Sequence, residues 1–157
     1  MRANRGFTLI ELAVTVAIVG ILASSAYPFA ELSLQRHKES ELRSALREIR
    51  GALDAYHDAT RSGQVAKSID ETGYPRKLED LVAGVDDAKD PKHAKIYFLR
   101  RLPRDPFYPD GSAPAVETWG KRSYASPPEM PMEGNDVFDV YSRSPLIGMS
   151  GIPYRDW

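Results

Sequence analysis

The sequence predicts an α+β protein: one long N-terminal helix, apolar in its first half and amphipathic in its second, packed against a small antiparallel β-sheet. Three observations carry that reading. From Phe7 to Ala30 the run FTLIELAVTVAIVGILASSAYPFA holds a single charged residue, Glu11. Further on, Leu42, Leu46, Ile49, Leu53 and Tyr56 recur at alternating spacings of four and three, which is one face of a helix. The 12 prolines and 11 glycines then fall mostly beyond residue 60, where turns and short strands replace helix.

The apolar run comes first. A hydrocarbon core takes about 20 residues to span, and residues 7–30 exceed that, so this segment is long enough to cross a membrane. A carboxylate at the centre of such a segment costs about 2.5 to 3.5 kcal/mol, and less towards an end. Glu11 therefore calls for a positive partner. The leader before it, MRANRG, is a short basic n-region carrying Arg2 and Arg5. Three readings of the N-terminus follow: a secretory signal peptide cut near Ser24-Ser25-Ala26, a plain signal anchor, or a membrane helix retained after processing. Basic residues lie on both sides of the run, Arg2 and Arg5 before it and Arg36, Lys38, Arg43, Arg47 and Arg50 after it. Charge counting leaves its orientation open.

The amphipathic pattern continues the helix. With Ser62-Gly63 as a C-terminal stop, it runs from about Thr8 to about Arg61, roughly 80 Å at the α-helical rise. Pro28 bends this helix without ending it. The polar face of the second half carries acids and bases in equal number and reads as a solvated surface, with i,i+4 pairs such as Glu39 with Arg43.

Past Gly63 the elements are short. Tyr74 to Val82 predicts a helix of one or two turns, with Pro75 near its start and Gly84 after its end. Lys92 to Arg101 fits a short helix or a strand, and Leu102 to Phe107 (LPRDPF) must extend or turn, because each proline restricts the residue before it. Residues 119–125 and 137–142 favour strands, Phe138 and Val140 sharing a face. The aromatics Trp119, Tyr124, Phe138, Tyr141, Tyr154 and Trp157 read as filling between sheet and helix.

Composition removes several function classes. The net charge is -1, with acids and bases interspersed, so there is no electrostatic footprint for nucleic acid. No cysteine is present, which excludes thiolate metal sites and thiol nucleophiles. His37, His57 and His93 lack metal-ligand spacing, the first two lying about 200° apart around one helix. No phosphate loop, nucleophile elbow or carboxylate pair in a defined cleft is legible, and the chain does not read as an enzyme.

The heptapeptide Gly6-Phe7-Thr8-Leu9-Ile10-Glu11-Leu12 behind a six-residue leader closely resembles the processing site of type IV prepilins and type II secretion pseudopilins. The resemblance implies cleavage between Gly6 and Phe7 by a prepilin peptidase, methylation of the new amine on Phe7, and a leader facing the cytoplasm. It implies that Glu11 engages the terminal amine of a neighbouring subunit during assembly, and that Pro28 is the family's helix-loosening proline. The implied organisation is a cleaved leader (1–6), a transmembrane helix (7–30), an amphipathic extension (31–62) and a periplasmic globular region (63–157).

Within that family the LPRDPF turn and the FDVYS segment are similar to motifs of the G-type major pseudopilin. Here Phe107-Tyr108 stands where the pattern tends to have Trp-Gly, and Trp119-Gly120 comes later. The tail RSPLIGMSGIPYRDW departs from the acidic loop that binds calcium in well-known members. Asp136, Asp139 and Asp156 are the calcium candidates that remain, against an ordinary role as solvated loop residues.

The implied function is that of a structural subunit of a type II secretion pseudopilus, held in the inner membrane and assembled into a periplasmic helical filament that promotes export across the outer membrane. Its implied partners are copies of itself, the prepilin peptidase/methyltransferase, an inner-membrane assembly platform and other pseudopilins. A pilin or minor pilin of a surface pilus, serving adhesion, motility or DNA uptake, is the alternative within the family. A secreted or membrane-anchored binding domain is the alternative outside it.

Overall fold

A computed structural model describes the chain from Thr8 to Trp157, except for the side chains of residues 24–30. It divides into two units, residues 1–37 and 38–157. The first helix, α1 (Leu9–Arg61), passes through both without interruption. Its backbone stays helical at Pro28, the residue expected to bend it, whose side chain lies outside the described residues. Both helix ends have local causes. At the start, the Thr8 hydroxyl accepts the Glu11 N–H at 3.3 Å, satisfying one of the four orphan donors of a first turn. At the finish, Gly63 takes φ +79°, Gln64 N–H donates to Ala59 O at 2.9 Å and Gly63 N–H to Thr60 O at 3.0 Å. This is a Schellman termination, and it needs the left-handed residue that glycine supplies.

The second unit is built on the predicted stripe. Leu42, Leu46, Ile49 and Leu53 are buried and join Leu78, Leu81, Leu99, Trp119, Val140 and Tyr154 in one core. Burying such side chains contributes about 1.5 to 3 kcal/mol each, so this stripe is the main tie between helix and loops.

The remaining elements are shorter than the sequence suggests. The helix expected over Tyr74 to Val82 contracts to α2 (Asp80–Ala83), because Pro75 is buried and its carbonyl accepts the Val137 N–H at 2.8 Å. That tertiary bond commits the Tyr74–Lys77 backbone elsewhere. Lys92 to Arg101 resolves as a strand: β1 (Val85–Asp86) pairs antiparallel with β2 (Lys95–Ile96). The chain then leaves the pairing, since Phe98 and Leu99 both donate to Leu81 O.

A 3-10 turn (Ala115–Thr118) leads into β3 (Trp119–Arg122), which pairs antiparallel with β4 (Asp139–Ser142). The expected single sheet is thus two separate two-stranded pairs. In β4, Val140 and Ser142 point inward. Gly120 opposes Tyr141, and a Cβ there would lie 2.3 Å from the tyrosine ring, so only glycine lets that ring close over the strand. A last 3-10 turn covers Tyr154–Asp156.

Candidate functional site

The N-terminal end of α1 exposes its apolar side chains. Every large apolar side chain from Leu9 to Leu22 is more than half exposed, Leu9 reaching 86%. Glu11 sits among them, also exposed. Thr8 and Glu11 together form the S/T-x-x-E pattern of a helix N-terminus, a signal legible in the sequence that gives the threonine a capping role. Gly6 and Phe7 lie outside the described residues. Among the described residues no helix is long and apolar enough to cross a membrane; residues 24–30, the end of the apolar run, fall outside the described side chains.

The prokaryotic N-terminal methylation motif matches residues 1–27. Over a longer stretch the chain is 32% identical to the type II secretion system core protein G of Klebsiella pneumoniae, across 70% of this chain and 74% of that protein. The chain belongs to the type II secretion core protein G family. Two further relatives of the same name, from Pseudomonas aeruginosa and Vibrio cholerae, are 33% and 29% identical, each over 68% of this chain and covering 70% and 68% of their own lengths. No solved structure matches.

As a member of the core protein G family, the chain uses its LPRDPF turn as a buried junction. Asp105 is only 2% exposed. Its carboxylate accepts the Ser142 hydroxyl at 2.5 Å and the Phe107 N–H at 2.8 Å, while its own N–H donates to Thr118 Oγ1 at 3.1 Å. One residue thus ties the turn to β4 and to the 3-10 turn before β3. Trp119 also meets this turn: its indole is buried and donates from Nε1 to Pro103 O at 2.9 Å. Phe107, standing where the pattern tends to have tryptophan, stacks on Tyr154 with centroids 4.0 Å apart.

Other aromatics divide between core and surface. Tyr154 is buried, but Tyr124 is 60% exposed and stacks with Tyr74, which stacks in turn on His57 at 4.5 Å. Burial, and then the nearby Asp54, pushes the Tyr74 phenol up from its ordinary value.

Most of the polar face of α1 is solvated, with Glu31, Arg36, Glu41, Arg47, Glu48, Asp54, Asp58 and Arg61 exposed, but Glu39, Arg43 and Arg50 meet the rest of the domain. Glu39 is buried, and one carboxylate oxygen accepts the Met149 N–H at 2.7 Å and the Tyr154 hydroxyl at 3.0 Å. Arg43 lies over the Trp157 indole, 4.3 Å from its centroid. Arg50 donates to Asp139 at 2.8 Å, to Trp157 O at 2.8 Å and to Val140 O at 3.2 Å. The reason is geometric: the C-terminal segment lies along the flank of the apolar stripe, burying Glu39 and meeting Arg43 and Arg50 at their partly exposed edge.

That arrangement bears on calcium. The Asp139 carboxylate faces two guanidiniums, Arg50 at 2.8 Å and Arg122 at 3.4 Å. Asp136 is taken by the Thr72 hydroxyl and by the Tyr124 N–H. Asp156 is exposed beside Arg155. Among the described residues no three carboxylates or histidines come together as a metal site. Calcium needs six to eight oxygens, and the three candidates do not fit it: each has a different set of partners, and the central one is flanked by cations.

Proposed function

We propose that this chain is a structural pseudopilin of a type II secretion system, processed between Gly6 and Phe7 and assembled through its N-terminal helix into a filament. The observation that carries this reading is the 32% identity to a core protein G across most of both chains. The methylation motif at residues 1–27 supports the processing step. In this reading residues 7–30 anchor the precursor in the inner membrane, residues 31–62 extend the helix outward, and residues 63–157 fold in the periplasm. The role is mechanical and not enzymatic.

The chemistry of assembly follows from charge and burial. Cleavage creates a positive amine on Phe7 four residues from Glu11, and in an apolar setting a carboxylate and an amine each cost much alone and attract strongly together. Paired between two helices, they set the axial register. The exposed apolar residues from Leu9 to Leu22 gain cover when copies of the helix pack together, and a head-to-tail contact that does not close on itself yields an open filament. The prepilin peptidase, the inner-membrane platform and the other pseudopilins are the remaining partners.

Replacement Glu11→Ala in the full chain tests both register and function. The variant is expected to insert in the membrane at the normal level, to form no filament by crosslinking, and to leave exported proteins in the periplasm. Normal filament formation and normal export in that variant would overturn the proposal.

A further inference from the structure

We propose that Arg50 is the resident cation of the C-terminal segment Ser144–Trp157, holding it on the domain in place of a divalent metal ion. Oxygens from separate stretches of chain converge on this one guanidinium. Its Nε donates to Asp139 Oδ1 at 2.8 Å, and its Nη2 donates to Val140 O at 3.2 Å and to Trp157 O at 2.8 Å. A side-chain carboxylate plus main-chain oxygens is the donor set a hard dication collects. Here a planar fork of N–H donors collects it instead, with a fixed geometry that suits bidentate contact.

Charge balance points the same way. Arg122 approaches the other Asp139 oxygen at 3.4 Å, so the carboxylate is already flanked by two positive groups. A dication placed beside them would be repelled by both. The next carboxylate along the segment, Asp156, lies beside Arg155 at 3.9 Å.

Two more residues of α1 complete the hold. Glu39 accepts the Met149 N–H and the Tyr154 hydroxyl, and Arg43 covers the Trp157 indole. Positions 39, 43 and 50 fall within about 40° around the helix axis, so a single edge of α1 organises the whole segment. The Ile147–Pro153 bridge closes the hairpin that Glu39 pins. The order of the segment is therefore built into the helix, and it requires the shape of arginine as well as its charge.

The test is amide hydrogen exchange of residues 144–157, followed by mass spectrometry on the full-length protein in detergent micelles. Wild type is expected to exchange at the same rate with millimolar calcium or with chelator. Arg50→Met is expected to exchange about tenfold faster or more over residues 144–157 while residues 42–53 stay protected, and calcium is expected not to restore it. Should Arg50→Met not fold, Arg50→Lys carries the same comparison, since it keeps the charge but lacks the fork. Slower exchange of the wild-type segment on adding calcium, or unchanged protection in the Arg50 variant that folds, would overturn the proposal.

Discussion

Asp105 shows how much one side chain can decide in this domain. It is buried, and the partners of its carboxylate are a hydroxyl and a backbone N–H, so removing it strands a buried serine and frees the turn. Asp105→Ala is expected to lower the unfolding free energy by about 1.5 to 3 kcal/mol, the range for hydrogen bonds to a charged group. Denaturant unfolding of the variant measures this, and a loss within error of zero would mean that Ser142 finds another partner. Its position between two prolines marked a turn in the sequence, but nothing local marked its burial. Glu39 and Arg50 teach the same lesson more sharply. Their types and spacing are those of a solvated helix face, and only partners roughly 90 to 110 residues away in sequence turn them inward. Thr8 is the opposite case, because its cap lies three residues from its partner and is written in the local pattern.

Among elements, α1 was legible almost to the residue, Thr8 to Arg61 expected and Leu9–Arg61 found. Its stripe, its cap and its glycine stop are all short-range signals. The loops were less legible, because their conformation depends on bonds to distant backbone, as with Pro75 and Val137. One loop carries its own electrostatic brace. The Ser68 N–H, and with it the Arg76 guanidinium, holds the Glu71 carboxyl below the usual carboxylate range. A group with a depressed folded-state pKa contributes its support above the ordinary value, about 4.3 for glutamate, and loses it as pH falls through the lowered one. The Ser68–Arg76 loop is therefore expected to loosen in acid below that ordinary value. The Ser68 amide resonance should titrate there in wild type and stay still in Glu71→Gln; equal behaviour of the two would remove the brace.

At the scale of the whole molecule the chain joins a segment whose large apolar side chains from Leu9 to Leu22 lie exposed to a domain closed around a helix stripe. The processing proposal makes a plain forecast for the mature protein. Intact mass measurement is expected to find a chain beginning at Phe7 with a methylated amine, and a terminus at Met1 or at Tyr27 would contradict it. The sequence by itself determined the long helix, the apolar arm and the motif before it, because hydrophobic period, capping and a contiguous heptapeptide are carried by neighbours in the chain. Tertiary structure alone decided that Asp105 is a buried junction, that two strand pairs replace one sheet, and that Glu39, Arg43 and Arg50 grip the final segment. Each of those depends on groups brought together from far apart in the sequence, where burial turns an ordinary polar residue into one that must find a partner.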